Sequence, residues 1–131
     1  MAISSIKAIF HNDIKDVWNV VTSLENFQWR SDLNKIEIIS DTQFIEYTKD
    51  GFATTFTITT AKPFERWEFD MENDHMKGHW TGVFCVHNGD TEIEFTEDVA
   101  PKKWIMKPFI RSFLKKQQTL YLSDLRKALQ L

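Results

Sequence analysis

The chain has 131 residues, of which 42% are hydrophobic and 14% aromatic, with eleven Phe and five Trp. That bounds it to one domain, 1–131, with a sizeable core, and four Gly with three Pro leave little for linkers. A net charge of −3 argues against a general nucleic-acid footprint. The lone Cys85 argues against a disulfide framework, and no apolar run nears the ~18 residues of a membrane span. No signal-peptide core opens the chain, so a cytoplasmic protein is expected.

Residues 3–10 alternate and read as a first strand. Asp13 is a good N-cap, and Ile14, Val17, Trp18, Val21 and Leu24 then share one helical face, with the helix ending near Ser23 and Leu24. Residues 25–32 are expected to hold a short second helix and a turn. Residues 35–39 and 43–48 read as two strands, and Lys49-Asp50-Gly51 as a hairpin turn into a Thr-rich strand over 52–61. Pro63 breaks that strand. Strands over 64–72, 75–87 and 91–99 follow, separated by Asn73-Asp74 and by the strong turn signal Asn88-Gly89-Asp90. Hairpin-joined neighbours make the sheet antiparallel, and alternation gives it one buried face and one wet face.

The last stretch, 101–131, carries apolar residues at 106, 110, 113, 114, 121, 125 and 128, with Gln117 in phase. This spacing predicts a helix about 40 Å long, kinked but not ended by Pro108, which lacks an N–H. A helix this long and apolar needs the sheet to lie on. Its Lys and Arg residues, from Lys102 to Lys127, read as a solvated face rather than a phosphate-binding stripe.

Few residues point to covalent chemistry. His75 and His79 are four apart, but on a strand that separates them by roughly 13 Å, too far for one metal; no metal or cofactor is expected. No nucleophile triad or phosphate loop stands out. The aromatic set is more informative. Strand parity aims Phe52, Phe56, Trp67, Phe69, Trp80, Phe84 and Phe95 at the last helix, which returns Phe109, Ile110, Phe113 and Tyr121. These are either a filled core or, in part, the wall of a cavity. Gly78 and Gly82 share the inward parity and leave space beside Trp80, which favours a cavity. Its polar candidates are Glu97 and Gln117, with Thr54 and Tyr47.

Three stretches, Asn-Asp-Ile-Lys-Asp-Val-Trp at 12–18, Glu-Asn-Phe-Gln-Trp at 25–29 and Gly-His-Trp-Thr-Gly at 78–82, together with the long last helix, resemble the START/Bet v 1-like superfamily. Within it the chain is most similar to the polyketide cyclase/dehydrase-like group of small bacterial proteins. The resemblance spans nearly the whole chain. It implies an α+β helix-grip fold, in which about seven antiparallel strands (β-α-α-β6-α) wrap a long C-terminal helix around an elongated cavity. In that superfamily the segment with Trp29 and Arg30 lies near the cavity mouth; a packed Trp and a surface Arg are the alternative.

Three functions are compatible with this. The first is binding of a small apolar or amphipathic molecule by Trp29, Phe56, Trp67, Trp80, Phe84, Phe95, Glu97, Phe109, Phe113 and Gln117. The second is a cyclase- or hydrolase-type enzyme using Glu97 or Tyr121 as acid or base, since burial raises a carboxyl pKa. The third is an interaction module similar to chaperone activators, which calls for an exposed apolar patch; the outward strand positions offer mostly Thr, Lys, Glu and His.

Overall fold

Period-two alternation runs through seven segments, and all seven are strands in the computed structural model, which describes residues 2–130. They are β1 (Ala2–Phe10), β2 (Leu33–Ile38), β3 (Gln43–Thr48), β4 (Ala53–Lys62), β5 (Arg66–Glu72), β6 (Met76–His87) and β7 (Asp90–Pro101). They form one antiparallel sheet in the order β1-β7-β6-β5-β4-β3-β2. Consecutive strands from β2 to β7 are neighbours, and β1 returns against β7. The β6–β7 turn is set by its residues: Asn88 (φ 52°) and Gly89 (φ 83°) both take the left-handed region that a two-residue I′ hairpin requires.

Helix α1 (Ile14–Thr22) starts where Asp13 accepts a hydrogen bond from the Lys15 backbone N–H at 2.8 Å. Its apolar face buries Val17, Trp18 and Val21. The C-terminal helix α2 (Lys107–Leu129) buries Ile110, Leu114, Gln118, Leu122 and Leu125. It runs along β1, tied by Gln118 Nε2 to the Ser4 carbonyl, Lys115 Nζ to the Ser5 carbonyl and Arg126 Nη1 to the Ile9 carbonyl. The helix-grip arrangement expected from the sequence is therefore present.

Three local expectations fail for identifiable reasons. Residues 25–32 form successive turns, not a helix. The segment lacks helical apolar spacing, and its backbone is served instead by Ser23 Oγ, which accepts from Asn26 N–H, and by Asp124, which accepts from both the N–H and hydroxyl of Ser31 at 2.8 Å. Pro108 does not kink α2. It sits in the helix's first turn, where a missing N–H costs nothing; Trp104–Met106 before it is a short 3₁₀ turn. The helix is thus about 34 Å long from its 23 residues, rather than 40 Å, and the expected last residue, Leu131, lies outside the described residues. Finally, the α2 stripe is rotated from the expected one: Gln118 is buried while Gln117, Phe113 and Met106 are exposed.

Candidate functional site

One helix cannot cover a seven-stranded sheet. Seven strands spaced at about 4.8 Å span roughly 30 Å, against a helix diameter of about 10–12 Å. Because α2 packs on β1 and β7, the inner faces of β3, β4 and β5 are left to look into a hollow of about 1020 Å³. The residues that wall it pack on one another along the sheet. Phe44 stacks on Phe56 (5.0 Å between ring centres), Phe69 stacks on Trp80 (4.8 Å), and Trp80 meets Phe95 (4.6 Å). Across from them Tyr121 of α2 is held edge-on by Phe95 and by Trp29, each at 5.3 Å. Phe113, Leu114, Gln117 and Gln118 complete the helix side.

A charged cluster interrupts this apolar wall. Arg30, on the 23–32 loop, donates from Nε and Nη2 to the Asp32 carboxylate at 3.3 Å each, and its Nη1 lies 3.5 Å from Glu46 of β3. The guanidinium also sits over the Tyr121 ring at 4.9 Å and the Trp29 ring at 5.8 Å. Burial opposes the Arg30 charge, but the field of Glu46 and Asp32, with the hydrogen bond to Asp32, outweighs it and holds the guanidinium above its ordinary range. Burial pushes the Glu46 carboxyl up, with Arg30 pulling it back only in part. Tyr121 is likewise raised by burial, so its hydroxyl stays protonated.

Glu97 differs from its neighbours. Inward parity on β7 places it in the cavity lining, where burial pushes its carboxyl up to about 7; the Arg30 charge is the one opposing influence and no hydrogen bond contributes. At neutral pH both protonation states are populated, so this group can donate to or accept from a bound molecule, or exchange a proton with it. Among the described residues, no three His, Cys, Asp or Glu side chains are grouped to hold a metal ion.

Of the ten residues expected to bind a ligand, the cavity brings together Trp29, Phe56, Trp67, Trp80, Phe95, Glu97, Phe113 and Gln117. Two lie elsewhere. Phe84 is buried in the solid core, edge-on to Trp18 at 5.0 Å. Phe109, 64% exposed, points away at the start of α2, because Ile110, next to it on the helix, takes the face that packs on Ala2 and Val99 of the sheet. The two glycines do not make the hollow either. A Cβ on Gly82 would stand 2.8 Å from the Trp80 ring, and one on Gly78 would stand 2.7 Å from the Asp98 carbonyl. The space at Gly82 is already filled by Trp80, and Gly78 permits close approach of β7. Of the other polar candidates, Thr54 lines the cavity, but Tyr47 faces outward and donates to Glu37 at 2.8 Å.

Sequence reasoning missed Glu46 and the buried pair Gln118–Ser4. Glu46 was accessible, because parity from Phe44 places it inward. Gln118 was not, because its burial depends on how far α2 rolls. The two histidines part as well. His75 sits in the turn before β6, stacked on Phe52 at 4.9 Å on the cavity rim. His79 faces the opposite side of the sheet, its nitrogens 2.7 Å from both Asp70 and Glu68. Burial works against its charge, but these two carboxylates raise its pKa overall.

The comparisons with known proteins fit this geometry. The family described as polyketide cyclase / dehydrase and lipid transport matches residues 6–130. No curated protein matches the chain. Among solved structures, a START superfamily protein from Mycobacterium smegmatis superposes with a TM-score of 0.83 at 14% identity, covering 98% of this chain and 97% of its own. A protein from Rhizobium leguminosarum gives 0.77 at 18% identity, covering 98% and 94%. DynU16, a protein of the dynemicin biosynthetic locus, gives 0.80 at 11% identity, covering 98% of this chain and 47% of its own. At such identities the likeness is one of fold.

Proposed function

The chain belongs to the polyketide cyclase / dehydrase and lipid transport family, and we propose that it binds and carries, in the cytoplasm, a small amphipathic molecule in the cavity between sheet and α2. The observation that carries this reading is the joining of a large aromatic hollow to one unpartnered carboxyl. Apolar sites with a few convergent polar groups are the usual form of small-molecule pockets, commonly of roughly 300–1,000 Å³, and this one is at the upper end. The apolar body of the ligand lies along Phe44, Phe56 and Phe69. Its polar group, a hydroxyl or carbonyl, reaches Glu97, which has no hydrogen bond or ion pair among the described residues. Arg30 is already paired with Asp32 and Glu46, so it orders the cavity wall and leaves no free positive charge for a ligand anion. A neutral polar group therefore suits the site better than a carboxylate or phosphate. Native mass spectrometry of the protein purified from its own host tests this. A retained small molecule, lost on Phe56→Glu, is the expected result; a bare chain that also takes up no apolar fluorescent probe overturns it.

A second reading rests on the same Glu97. A carboxyl that titrates near pH 7, in the same cavity as a protonated Tyr121, suits proton transfer to and from a carbonyl compound, the step a cyclase or hydrolase needs. Under this reading Glu97→Gln abolishes turnover of the bound compound while binding survives. Under simple carriage, the ligand leaves the protein with its mass unchanged.

A further inference from the structure

The start of α2 is the part of the molecule that folding leaves least satisfied. Trp104 is 80% exposed, Phe109 64% and Ile105 58%, with Met106 and Phe113 beside them above 40%. Single exposed apolar residues are ordinary, but five within ten residues form a patch. Helical spacing extends it, because Phe109, Phe113 and Leu120 follow one line down α2. Residues 102–116 also contain six Lys or Arg and no Asp or Glu, in a chain of net charge −3. That stretch carries +6, which leaves −9 on the remainder. Lys102 is engaged by Glu72, and Lys115 by the Ser5 carbonyl. Among the described residues Lys103, Lys107, Arg111 and Lys116 have no ion pair.

We propose that this end of α2 is a docking surface for an anionic lipid bilayer. The charge is complementary to acidic headgroups and of opposite sign to the rest of the protein, so approach is oriented as well as attractive. The aromatic residues are of the kind that settle at the headgroup level, and basic residues beside Trp and Phe are the composition of interfacial segments. No helix among the described residues is long and apolar enough to cross a membrane, so the contact is peripheral. Its place in the fold gives it a use: Phe113 belongs both to the patch and to the cavity lining, and Gln117, one turn on, lines the cavity too. A docked molecule would hold the cavity's helix-side border against the bilayer. The inference does not depend on the cavity being a ligand site, since vesicle binding is measured without any ligand.

Flotation with vesicles of phosphatidylcholine, and of phosphatidylcholine mixed equally with phosphatidylglycerol, tests it. The wild type should float with the mixed vesicles, weakly or not at all with the neutral ones, and detach as salt is raised. Lys103→Gln, Lys107→Gln and Lys116→Gln together should lower partitioning by roughly a hundredfold, at about fivefold for each lysine lost. Trp104→Ser with Phe109→Ser should lower it by at least about tenfold. None of these five side chains lines the cavity, so probe uptake and thermal melting should stay as in the wild type, which separates this test from that of the ligand site. Failure to float with either vesicle overturns the proposal, as does equal floating with both. So does a wild-type dimer by light scattering that Trp104→Ser with Phe109→Ser converts to monomer, because the patch would then be covered by a second copy.

Discussion

The two ends of the sheet–helix sandwich are built from the same residue types and do opposite things. Under α1, Trp18 meets Phe64, Trp67 and Phe84 edge-on at 5.0–6.1 Å, and with Phe10, Ile93 and Leu125 they form one buried cluster, which Trp67 joins to the cavity wall. Beyond Trp80, the aromatics of β3, β4 and β5 stack along the sheet and meet no helix. Aromatic content therefore does not distinguish core from cavity. What does is whether a second layer lies above the ring, and α1 supplies one at the closed end only. The polar groups follow the same division. On the outer face Glu68 is held below its ordinary range, chiefly by its hydrogen bond from His79, whereas inward Glu97 goes unpartnered and is pushed up to about 7.

The largest test of that contrast is at the closed end. Trp18→Ala should cost ~3–5 kcal/mol in urea melts, since nothing can collapse into the space it leaves. A loss under about 1 kcal/mol would mean that this end is as loosely filled as the other.

Next in size is Glu97. Its folded pKa stands above the ordinary 4.5, so between pH 4.5 and about 7 the native state holds more protons than the unfolded one. Stability from this group therefore falls as pH rises, and the penalty is complete above pH 7. Glu97→Gln carries no such penalty. The variant should gain on the wild type by up to about 3 kcal/mol between pH 4.5 and 8, measured as the difference between paired urea melts at each pH. Taking the difference removes His79, whose raised pKa contributes stability at low pH that is lost as pH rises. A difference independent of pH would mean that Glu97 is solvated, and one of opposite sign that it is paired.

Gly82→Leu sharpens the comparison, because it probes the boundary between the two ends. The new side chain meets the Trp80 ring, so ~1–3 kcal/mol should be lost by overpacking, with the cavity itself left open. An unchanged melting curve would mean that Trp80 swings freely into the hollow. The smallest expected effect is at the open end. Phe113→Ala should cost less than about 1 kcal/mol, since Phe113 is 45% exposed and touches the cavity rather than the core.

These contrasts also explain what could be read in advance. Strands, hairpin turns and inward parity depend on neighbouring residues, and they were legible down to Asn88-Gly89 and to the inward direction of Trp80 and Glu97. Glu46 was legible by the same parity, two residues after Phe44, but its partner Arg30 comes from a loop whose path no local pattern sets. The rest depends on how layers lie. Sequence cannot say that α2 lies chiefly over β1 and β7, so it could not separate Phe84 in the core from Phe56 in the cavity. It could not fix the roll of α2 either, which exchanges Gln117 for Gln118. Gly82 misled for a related reason: an absent side chain opens a gap only where no neighbour, here Trp80, lies across it.

The central claim, that the open end is a genuine ligand cavity, is tested most directly by filling it. Thr54 points inward from β4, so strand geometry aims any replacement into the hollow. The measurement is the titration of a neutral apolar fluorescent probe, N-phenyl-1-naphthylamine, against the wild type and Thr54→Trp at matched, fully folded conditions. A cavity between sheet and α2 predicts saturable uptake at one site in the wild type and at least a tenfold weaker uptake in Thr54→Trp, equivalent to about 1.4 kcal/mol. No uptake by the wild type, or equal uptake by both proteins, would contradict it.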